Sequence, residues 1–244
     1  MRLTWIGHST VVIELDSVRL VTDPVLRDRL NVIRRVSGAA AEVGHVDAVL
    51  LSHLHYDHLD LPSLARLGHA VRVFVPVGGA KLLRKRGWTD VVELAEGEST
   101  SFRDLEITTT HAEHPGRRSP WSDRAAALGY VVSGSQRVYF AGDTDLFPGM
   151  SELAPVDVAL LPVAGWGPRV PAGHMNERRA VEALGLLRPR VAVPIHWGTY
   201  RRLLLSKHGL REPADTFAQL AAEAHPEVDV RVLPVGGSME LVRA

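Results

Sequence analysis

The chain contains no cysteine among its 244 residues. Disulfide bonds, thiolate nucleophiles and cysteine-based metal sites are therefore excluded together. Any metal chemistry has to come from nitrogen and oxygen donors, for which the chain offers 12 histidines and 28 acidic residues.

Also missing is an excess of charge of either sign, because Lys and Arg total 28 and Asp and Glu total 28. Without net positive charge no global field drives sequence-independent binding to nucleic acid, so we expect no nucleic-acid partner. The opening MRLTWIGHST lacks a basic stretch followed by a long apolar run, and no window approaches the roughly 18 apolar residues of a membrane span. The sequence predicts a cytoplasmic protein without membrane insertion.

The third missing feature is a linker, since no Ser/Gly-rich tract, charge run or repeat divides the sequence. With 244 residues and 45% hydrophobic composition, the chain can bury a sizeable core. We therefore expect a single domain over residues 1–244.

Short apolar runs typical of β-strands recur along most of the chain. Apolar residues alternate from Leu3 to Leu20 with a turn at Asp16 and Ser17, which predicts an antiparallel meander. Further strands are predicted at residues 46–51, 71–75, 91–94, 105–109, 128–132, 138–141, 156–163, 191–195 and 228–233. Residues 24–45 lack periodicity and carry four arginines, Arg27, Arg29, Arg34 and Arg35. This segment is either a surface excursion that could overhang a site or a plain solvated loop.

Two helices are predicted between the later strands. Asn176 can cap a helix that presents Ala180, Val181, Leu184 and Leu187 on one face, with Pro189 past its end. A second helix is predicted to begin near Pro213 and to bury Phe217, Leu220, Ala221 and Ala224. Because strands come first as hairpins and then mix with helices, an α/β (α+β) fold of two sheets with helices packed outside satisfies burial best.

The most informative segment is Ser52-His53-Leu54-His55-Tyr56-Asp57-His58, which directly follows an apolar strand. In an extended chain His53 and His55 project to the same side, so both imidazoles can bind one ion. Asp57 and His58 then start a turn or helix that redirects them to a neighbouring point. A single tetrahedral ion rarely takes four ligands from so short a loop, so the segment favours two metal ions.

Further donors follow the predicted ends of later strands, where loops commonly place functional side chains. Asp143 follows Gly142, whose missing side chain lets backbone approach closely, and His196 follows the strand at 191–195. His111 and His114 both follow the strand at 105–109 and compete for one position. These donors can complete two coordination shells begun by the histidine cluster.

In this order, the His-x-His-x-Asp-His segment, a later His, a Gly-Asp pair and a His at a strand end resemble the metallo-β-lactamase superfamily over nearly the whole chain. More narrowly, Thr4-Trp5-Ile6-Gly7-His8, Thr22-Asp23-Pro24, Ala112-Glu113-His114 and Ile195-His196-Trp197-Gly198 are similar to the branch of N-acyl-phosphatidylethanolamine phospholipase D and ascorbate-6-phosphate lactonases. The resemblance implies a four-layer αββα sandwich.

The resemblance also implies which residues bind metal. His53, His55 and His114 would hold the first ion, Asp57, His58 and His196 the second, and Asp143 would bridge the two. The motif assigns the contested position to His114 rather than His111. Many true β-lactamases use a cysteine at the second site, so antibiotic hydrolysis is not the expected function. The phospholipase members carry a longer N-terminal region, which argues against a phospholipid substrate.

Three other residues have two alternative interpretations each. Asp23 is either a carboxylate that orients the histidine loop or a turn former before Pro24. His8 either lies near the metal ions or is a buried structural histidine. His174 resembles the active-site histidine of the branch and could contact an anionic group or donate a proton, or it is simply exposed on a loop. Aromatic residues near the motifs could line the entrance of the active site, namely Trp121, Trp166, Trp197 and Tyr200. Nearby arginines could bind an anionic substrate, namely Arg117, Arg118, Arg169 or Arg201.

The predicted function is that of a dinuclear metal-dependent hydrolase acting on an ester-type bond, either a phosphodiester or a lactone or carboxylic ester. Two divalent ions, Zn²⁺ with Mn²⁺ or Fe²⁺ as alternatives, would generate a bridging hydroxide aligned by Asp143, with His174 or a metal-bound water as proton donor and Asp57 as a further catalytic residue. We expect a small, anionic substrate, and a homo-oligomer stays open. The alternative is a non-hydrolytic metal-binding protein or an iron-dependent redox protein on the same fold.

Overall fold

The computed structural model describes residues 1–115, 125–165, 170–202 and 211–242. Its first large sheet has seven strands, in the order Ser238–Glu240 (β17), Arg2–Gly7 (β1), Thr10–Leu15 (β2), Val18–Thr22 (β3), Ala48–Leu50 (β6), Arg72–Pro76 (β7) and Val91–Leu94 (β8). Strands β1 to β3 form the predicted antiparallel meander, and β3, β6, β7 and β8 run parallel. The turn between β2 and β3 contains Asp16 and Ser17, both in the left-handed backbone region.

The second large sheet also has seven strands, in the order Asp229–Val230 (β16), Val191–Ile195 (β14), Val158–Pro162 (β13), Arg137–Phe140 (β12), Leu128–Ser133 (β11), Leu105–His111 (β10) and Ser99–Phe102 (β9). Strands β9 to β12 pair antiparallel, and β12, β13, β14 and β16 pair parallel. Because parallel strands point the same way, the loops that follow β12 and β14 emerge at one edge of the sheet.

Helices lie outside both sheets. Their bounds are Leu61–Ala65 (α1), Ala80–Arg84 (α2), Glu177–Leu187 (α3) and Glu212–Ala224 (α4), with a 3₁₀ helix at Pro148–Leu153. Asn176 caps α3 as predicted, because its side chain accepts a hydrogen bond from the Arg179 N–H. None of the helices among the described residues is both long and apolar enough to cross a membrane.

Neighbouring residues of a strand point to opposite faces of its sheet, and the clusters that they join show how the layers stack. Ile13 belongs to the core shared by both sheets, whereas its neighbour Val12 belongs to a second cluster with Leu64 of α1 and Leu83 of α2. The first sheet is therefore buried on both faces. Phe217 of α4 packs into the core of the second sheet. The order of layers is helix, sheet, sheet, helix, which confirms the predicted αββα sandwich.

A third, small sheet occupies part of the segment predicted as an irregular excursion. Arg29–Leu30 (β4) pairs with Ile33–Arg35 (β5), which in turn pairs with Tyr200–Arg202 (β15). The pairing of β5 with β15 joins distant parts of the chain, which local periodicity does not show. Leu30, Ile33 and Tyr200 bury one face of this sheet against Val25.

Two sequence predictions need correction. The strand predicted at 228–233 is limited to Asp229–Val230, because it pairs only with the first residues of β14 at the sheet edge. Ala224, predicted to be buried, is exposed in the last turn of α4, next to the C-cap residue His225. The structure also adds β9, α1 and α2, which had no separate signal in the sequence.

Candidate metal centre

The candidate metal ligands lie on loops at one end of the sandwich. The loop after β6 carries His53, His55, Asp57 and His58 and ends where Asp60 caps α1. His58 and Leu59 both donate backbone hydrogen bonds to the His55 carbonyl, so this loop makes the predicted turn. Residues from the second sheet join this loop: His114 follows β10, Asp143 follows β12 and His196 follows β14. Both sheets therefore contribute donors to one place.

The first group of donors consists of His53, His55 and His114. One nitrogen from each ring lies within 4.8 Å of the others. His114 Nε2 lies 3.2 Å from His55 Nδ1, and the other nitrogen of His114 donates to the Gly173 carbonyl at 2.8 Å. This group matches the set expected for the first ion.

The second group contains Asp57, His58 and His196, together with His8 from the turn between β1 and β2. Asp57 Oδ2 lies 3.5 Å from His58 Nε2, 3.7 Å from His196 Nε2 and 3.0 Å from His8 Nε2. His8 is buried, and its ring also lies beside these donors, so its position agrees with both interpretations offered by the sequence. Its proximity depends on the path of the whole chain, which no local signal reveals.

Asp143 lies between the two groups. Its Oδ2 atom is 3.1 Å from His58 Nε2 and 4.0 Å from His53 Nε2, while Oδ1 is 3.2 Å from His196 Nε2. His174 also approaches this carboxylate, with Nε2 3.2 Å from Oδ2. A carboxylate in contact with both groups has the position that a bridging ligand requires.

Four of the imidazoles share one hydrogen-bonding pattern. The Nδ1 atoms of His53, His58, His114 and His196 bond respectively to Ser52 Oγ at 2.9 Å, Asp23 Oδ2 at 2.7 Å, the Gly173 carbonyl at 2.8 Å and the Ala164 carbonyl at 2.7 Å. The buried Nε2 atoms of His53, His58 and His196 and the Asp143 Oδ1 atom have no hydrogen-bond partner among the described residues. Metal-binding histidines typically use one nitrogen for the protein and the other for the ion. The donor set therefore fits bound metal.

Asp23 supports donors of both groups. Besides its contact with His58, it accepts hydrogen bonds from the Ser52 N–H at 2.7 Å and the Ser52 Oγ at 2.6 Å. Ser52 in turn contacts His53 Nδ1. The structure thus places the Asp23 carboxylate in contact with the histidine loop at Ser52 and His58. Ser52 had not been singled out from the sequence, although it stands directly before His53.

Close packing brings the Asp143 loop against the histidine loop. Gly142 adopts φ 62°, and a Cβ atom at this position would lie 2.6 Å from the Ser52 Cβ. Both the backbone conformation and the contact require glycine here. The glycine before Asp143 therefore lets the two loops approach.

Charges within the cluster are strongly coupled. Burial by itself raises the pKa of a carboxyl, but the neighbouring His196 and His58 hold the pKa of Asp143 well below its usual value. Burial alone would lower the pKa of His196, but the Asp143 carboxylate raises it to about 9. Burial, together with nearby His58, lowers the pKa of His53 well below its usual value. The Asp143 carboxylate therefore stays ionised and His53 stays neutral, and these are the protonation states in which each side chain can bind a metal ion.

Other sequence-predicted residues fall elsewhere. His111 lies at the end of β10, 40% exposed, and pairs with Glu96 and Glu113 rather than with the cluster. Trp197 is buried and stacks on Trp5 with ring centroids 4.7 Å apart, so it belongs to the core and does not line the entrance of the active site. Arg201 lies on β15 and is largely buried. Trp121, Trp166, Arg117, Arg118 and Arg169 lie outside the described residues.

The chain matches the family described as the beta-lactamase superfamily domain over residues 18–197. It is 34% identical over 226 residues to N-acyl-phosphatidylethanolamine-hydrolyzing phospholipase D 1 of Caenorhabditis elegans, an alignment that covers 81% of this chain and 64% of that protein. It is 33% identical over 253 residues to a protein of Opitutus terrae named a metal-dependent hydrolase, covering 99% of this chain and 100% of the other.

Among solved structures, the fold is similar to that of Igni18, a metallo hydrolase from Ignicoccus hospitalis. The TM-score is 0.74 at 26% sequence identity, with 99% of each chain covered. The chain thus belongs to the metallo-β-lactamase superfamily.

The geometry makes a prediction for the two competing histidines. His114→Ala should lower metal occupancy more than His111→Ala, because only His114 shares the first group with His53 and His55. His111→Ala serves as the matched control, since it removes the same side chain from the same segment. The measurement is metal content after dialysis against a defined free-metal concentration. Equal retention of metal in the two variants, or the reverse order, would contradict the assignment.

Proposed function

We propose that the protein is a dinuclear metal hydrolase that cleaves an ester-type bond, a phosphodiester or a lactone or carboxylic ester, in a small anionic substrate. The observation that carries this proposal is the shared pattern of the imidazoles, in which Nδ1 is held by the protein and Nε2 faces the other donors of the cluster. Donors supplied from both sheets also support one catalytic domain over residues 1–244.

In this proposal each donor has a stated place. His53, His55 and His114 would hold the first ion, Asp57, His58 and His196 would hold the second, and Asp143 would serve both. Nitrogen and oxygen donors suit Zn²⁺, with Mn²⁺ and Fe²⁺ as alternatives. Two bound divalent ions supply an activated water at neutral pH and polarise the bond under attack.

In this proposal, the protein's own residues orient the reacting groups and transfer a proton. Asp57 and Asp143 fix the positions of the imidazoles around them and align the water for attack. His174 is 14% exposed at its side chain, lies 3.2 Å from Asp143 and so faces both solvent and the cluster. We assign it as the donor of a proton to the leaving group.

An anionic substrate is favoured by a row of arginines on the small sheet. In the pairing of β4, β5 and β15, Arg29 lies opposite Arg34, and Arg34 lies opposite Arg201. Residues directly opposite each other share a face of the sheet, so these three arginines lie on one face, with Arg29 and Arg34 exposed on it. A cavity of about 510 Å³ is lined by Arg29, Arg34 and Arg35 among others. Guanidinium groups bind phosphate and carboxylate through paired hydrogen bonds.

The names of relatives give one indication of the type of bond that is cleaved. The Caenorhabditis elegans relative is a phospholipase D, which supports a phosphodiester substrate, but this chain spans 64% of that protein. The same pair of ions can serve phosphoryl and carboxyl esters, so both stay in the proposal.

A substrate panel tests the proposed reaction. Protein loaded with Zn²⁺, Mn²⁺ or Fe²⁺ should hydrolyse bis(p-nitrophenyl) phosphate, a simple lactone or p-nitrophenyl acetate, and carboxylated analogues should react faster than neutral ones. Asp143→Asn protein at the same metal loading corrects for hydrolysis by loosely bound ions. If the fully loaded protein turns over none of these esters faster than that variant, the ester-hydrolase proposal fails.

A further inference from the structure

His8 occupies a position that neither metal group needs for its proposed ligands. It lies in the turn between β1 and β2, with φ 54°, in the left-handed region that few residues other than glycine adopt. Its N–H donates to Thr199 Oγ1 at 2.7 Å, and its carbonyl accepts from the Trp5 Nε1–H at 2.8 Å and the His196 N–H at 3.0 Å. These bonds fix the backbone of His8 against the loop that carries His196.

The imidazole of His8 points into the second donor group. Nε2 lies 3.0 Å from Asp57 Oδ2. The ring centroid lies 4.1 Å from that of His196 and 5.3 Å from that of His58. On its other side, the ring meets the edge of Tyr200 at 5.5 Å. A backbone in a costly conformation, held by three hydrogen bonds, thus delivers one ring nitrogen to one carboxylate oxygen.

We infer that His8 is a positioning residue for the second metal site, in which its Nε2–H donates to Asp57 Oδ2 and fixes the orientation of that carboxylate. The inference rests on the proposed assignment of Asp57 to the second ion. Asp57 sits in a turn rather than in a helix or strand, and the orientation of its carboxylate depends on its side-chain contacts. The contact with His8 is shorter than those with His58 and His196. Carboxylate ligands in metal sites are themselves oriented by hydrogen bonds, and loss of such a partner weakens metal binding.

The inference predicts an effect on one ion rather than on both. The described contacts of the His8 ring are with Asp57, His58 and His196 of the second group, and with Tyr200. His53, His55 and His114 form the first group. None of them is among the described contacts of the His8 ring. Removal of the His8 hydrogen bond should therefore loosen the second ion and leave the first in place.

Two substitutions distinguish the hydrogen bond that His8 donates to Asp57 from the packing of the His8 side chain. His8→Leu keeps a side chain of similar bulk but cannot donate a hydrogen bond. His8→Gln places an amide N–H at about the reach of Nε2 and can still donate to Asp57. His111→Gln is the control, because it makes the same chemical change at a histidine outside both groups.

Metal-free wild-type and variant proteins are titrated with Zn²⁺ against a chromophoric chelator, and Co²⁺ absorption spectra report the ligand geometry of each ion. We expect two ions in the wild type, a second ion bound about 10–100-fold more weakly in His8→Leu, and recovery of most of that loss in His8→Gln. Affinity for the first ion and the circular dichroism spectrum should not change. The His111→Gln titration should match the wild type.

The outcomes are distinguishable. If the wild type binds fewer than two ions, the dinuclear assignment itself fails, and this inference fails with it. If the wild type binds two ions and folded His8→Leu binds both equally well, the inference alone is overturned. If His8→Gln binds the second ion as weakly as His8→Leu, with a changed Co²⁺ spectrum, the imidazole is itself a ligand and the positioning role is wrong.

Discussion

Asp143→Asn should lower turnover per folded molecule by at least about a hundredfold and leave the fold intact. The carboxylate lies 3.1 Å from His58 Nε2 and 3.2 Å from His196 Nε2, and it approaches His53 of the other group at 4.0 Å. Asparagine keeps the shape but removes the negative charge that holds two cations close together. Without that charge, both the spacing of the ions and the orientation of the attacking water are lost.

Asp145→Asn provides a matched control for this substitution. Asp145 lies two residues further along the same loop and forms an ion pair with Arg179 rather than with the cluster. Its replacement should leave turnover close to that of the wild type. A purely structural role for Asp143 predicts the opposite pairing, in which folding is damaged and the surviving folded fraction is catalytically normal. Near wild-type turnover of Asp143→Asn would mean that Asp143 does not bridge.

Asp23→Ala should be the second most damaging substitution, because one carboxylate supports donors of both groups. Asp23 is fully buried, and its loss leaves the Ser52 N–H, the Ser52 hydroxyl and the His58 Nδ1–H without their acceptor. We expect metal affinity to fall by about 10–100-fold. The free energy of unfolding should also fall, by about 1–3 kcal/mol for each buried donor left unsatisfied.

Asp47→Ala separates the two effects. Asp47 accepts a hydrogen bond from the Arg19 N–H and pairs with Arg103, both away from the cluster. Its replacement should lower stability without lowering metal affinity. Chemical denaturation of the metal-free proteins and metal titration of the folded proteins give the two quantities. If Asp23→Ala retains wild-type metal affinity, the orienting role of Asp23 is wrong.

The sequence was most informative where function is encoded locally. The segment from His53 to His58 follows a buried strand, and its spacing alone predicts two donors on one side and two redirected by a turn. The meander from β1 to β3 and the Asn176 cap of α3 are likewise set by neighbouring residues, and the structure confirms both.

Features that depend on contacts between segments far apart in the sequence could not be predicted in the same way. The small sheet requires β15 to meet β5, and no pattern within residues 24–45 indicates that partner. His8 joins the second group only because its turn packs against the loop of His196. His111 and His114 both follow the strand predicted at 105–109, so spacing alone did not separate them. The resemblance to the family favoured His114, and the structure places His111 on β10 and His114 beyond its end.

Metal content measured together with turnover tests the central claim most directly. Freshly purified, folded protein should contain about two divalent ions per chain, since seven donors exceed one tetrahedral shell. Removal of the ions with a chelator should abolish hydrolysis, and addition of Zn²⁺, Mn²⁺ or Fe²⁺ should restore both the ions and the activity in parallel. Folded protein that binds no metal after incubation with these ions, or that hydrolyses its substrates equally well without them, would contradict the account.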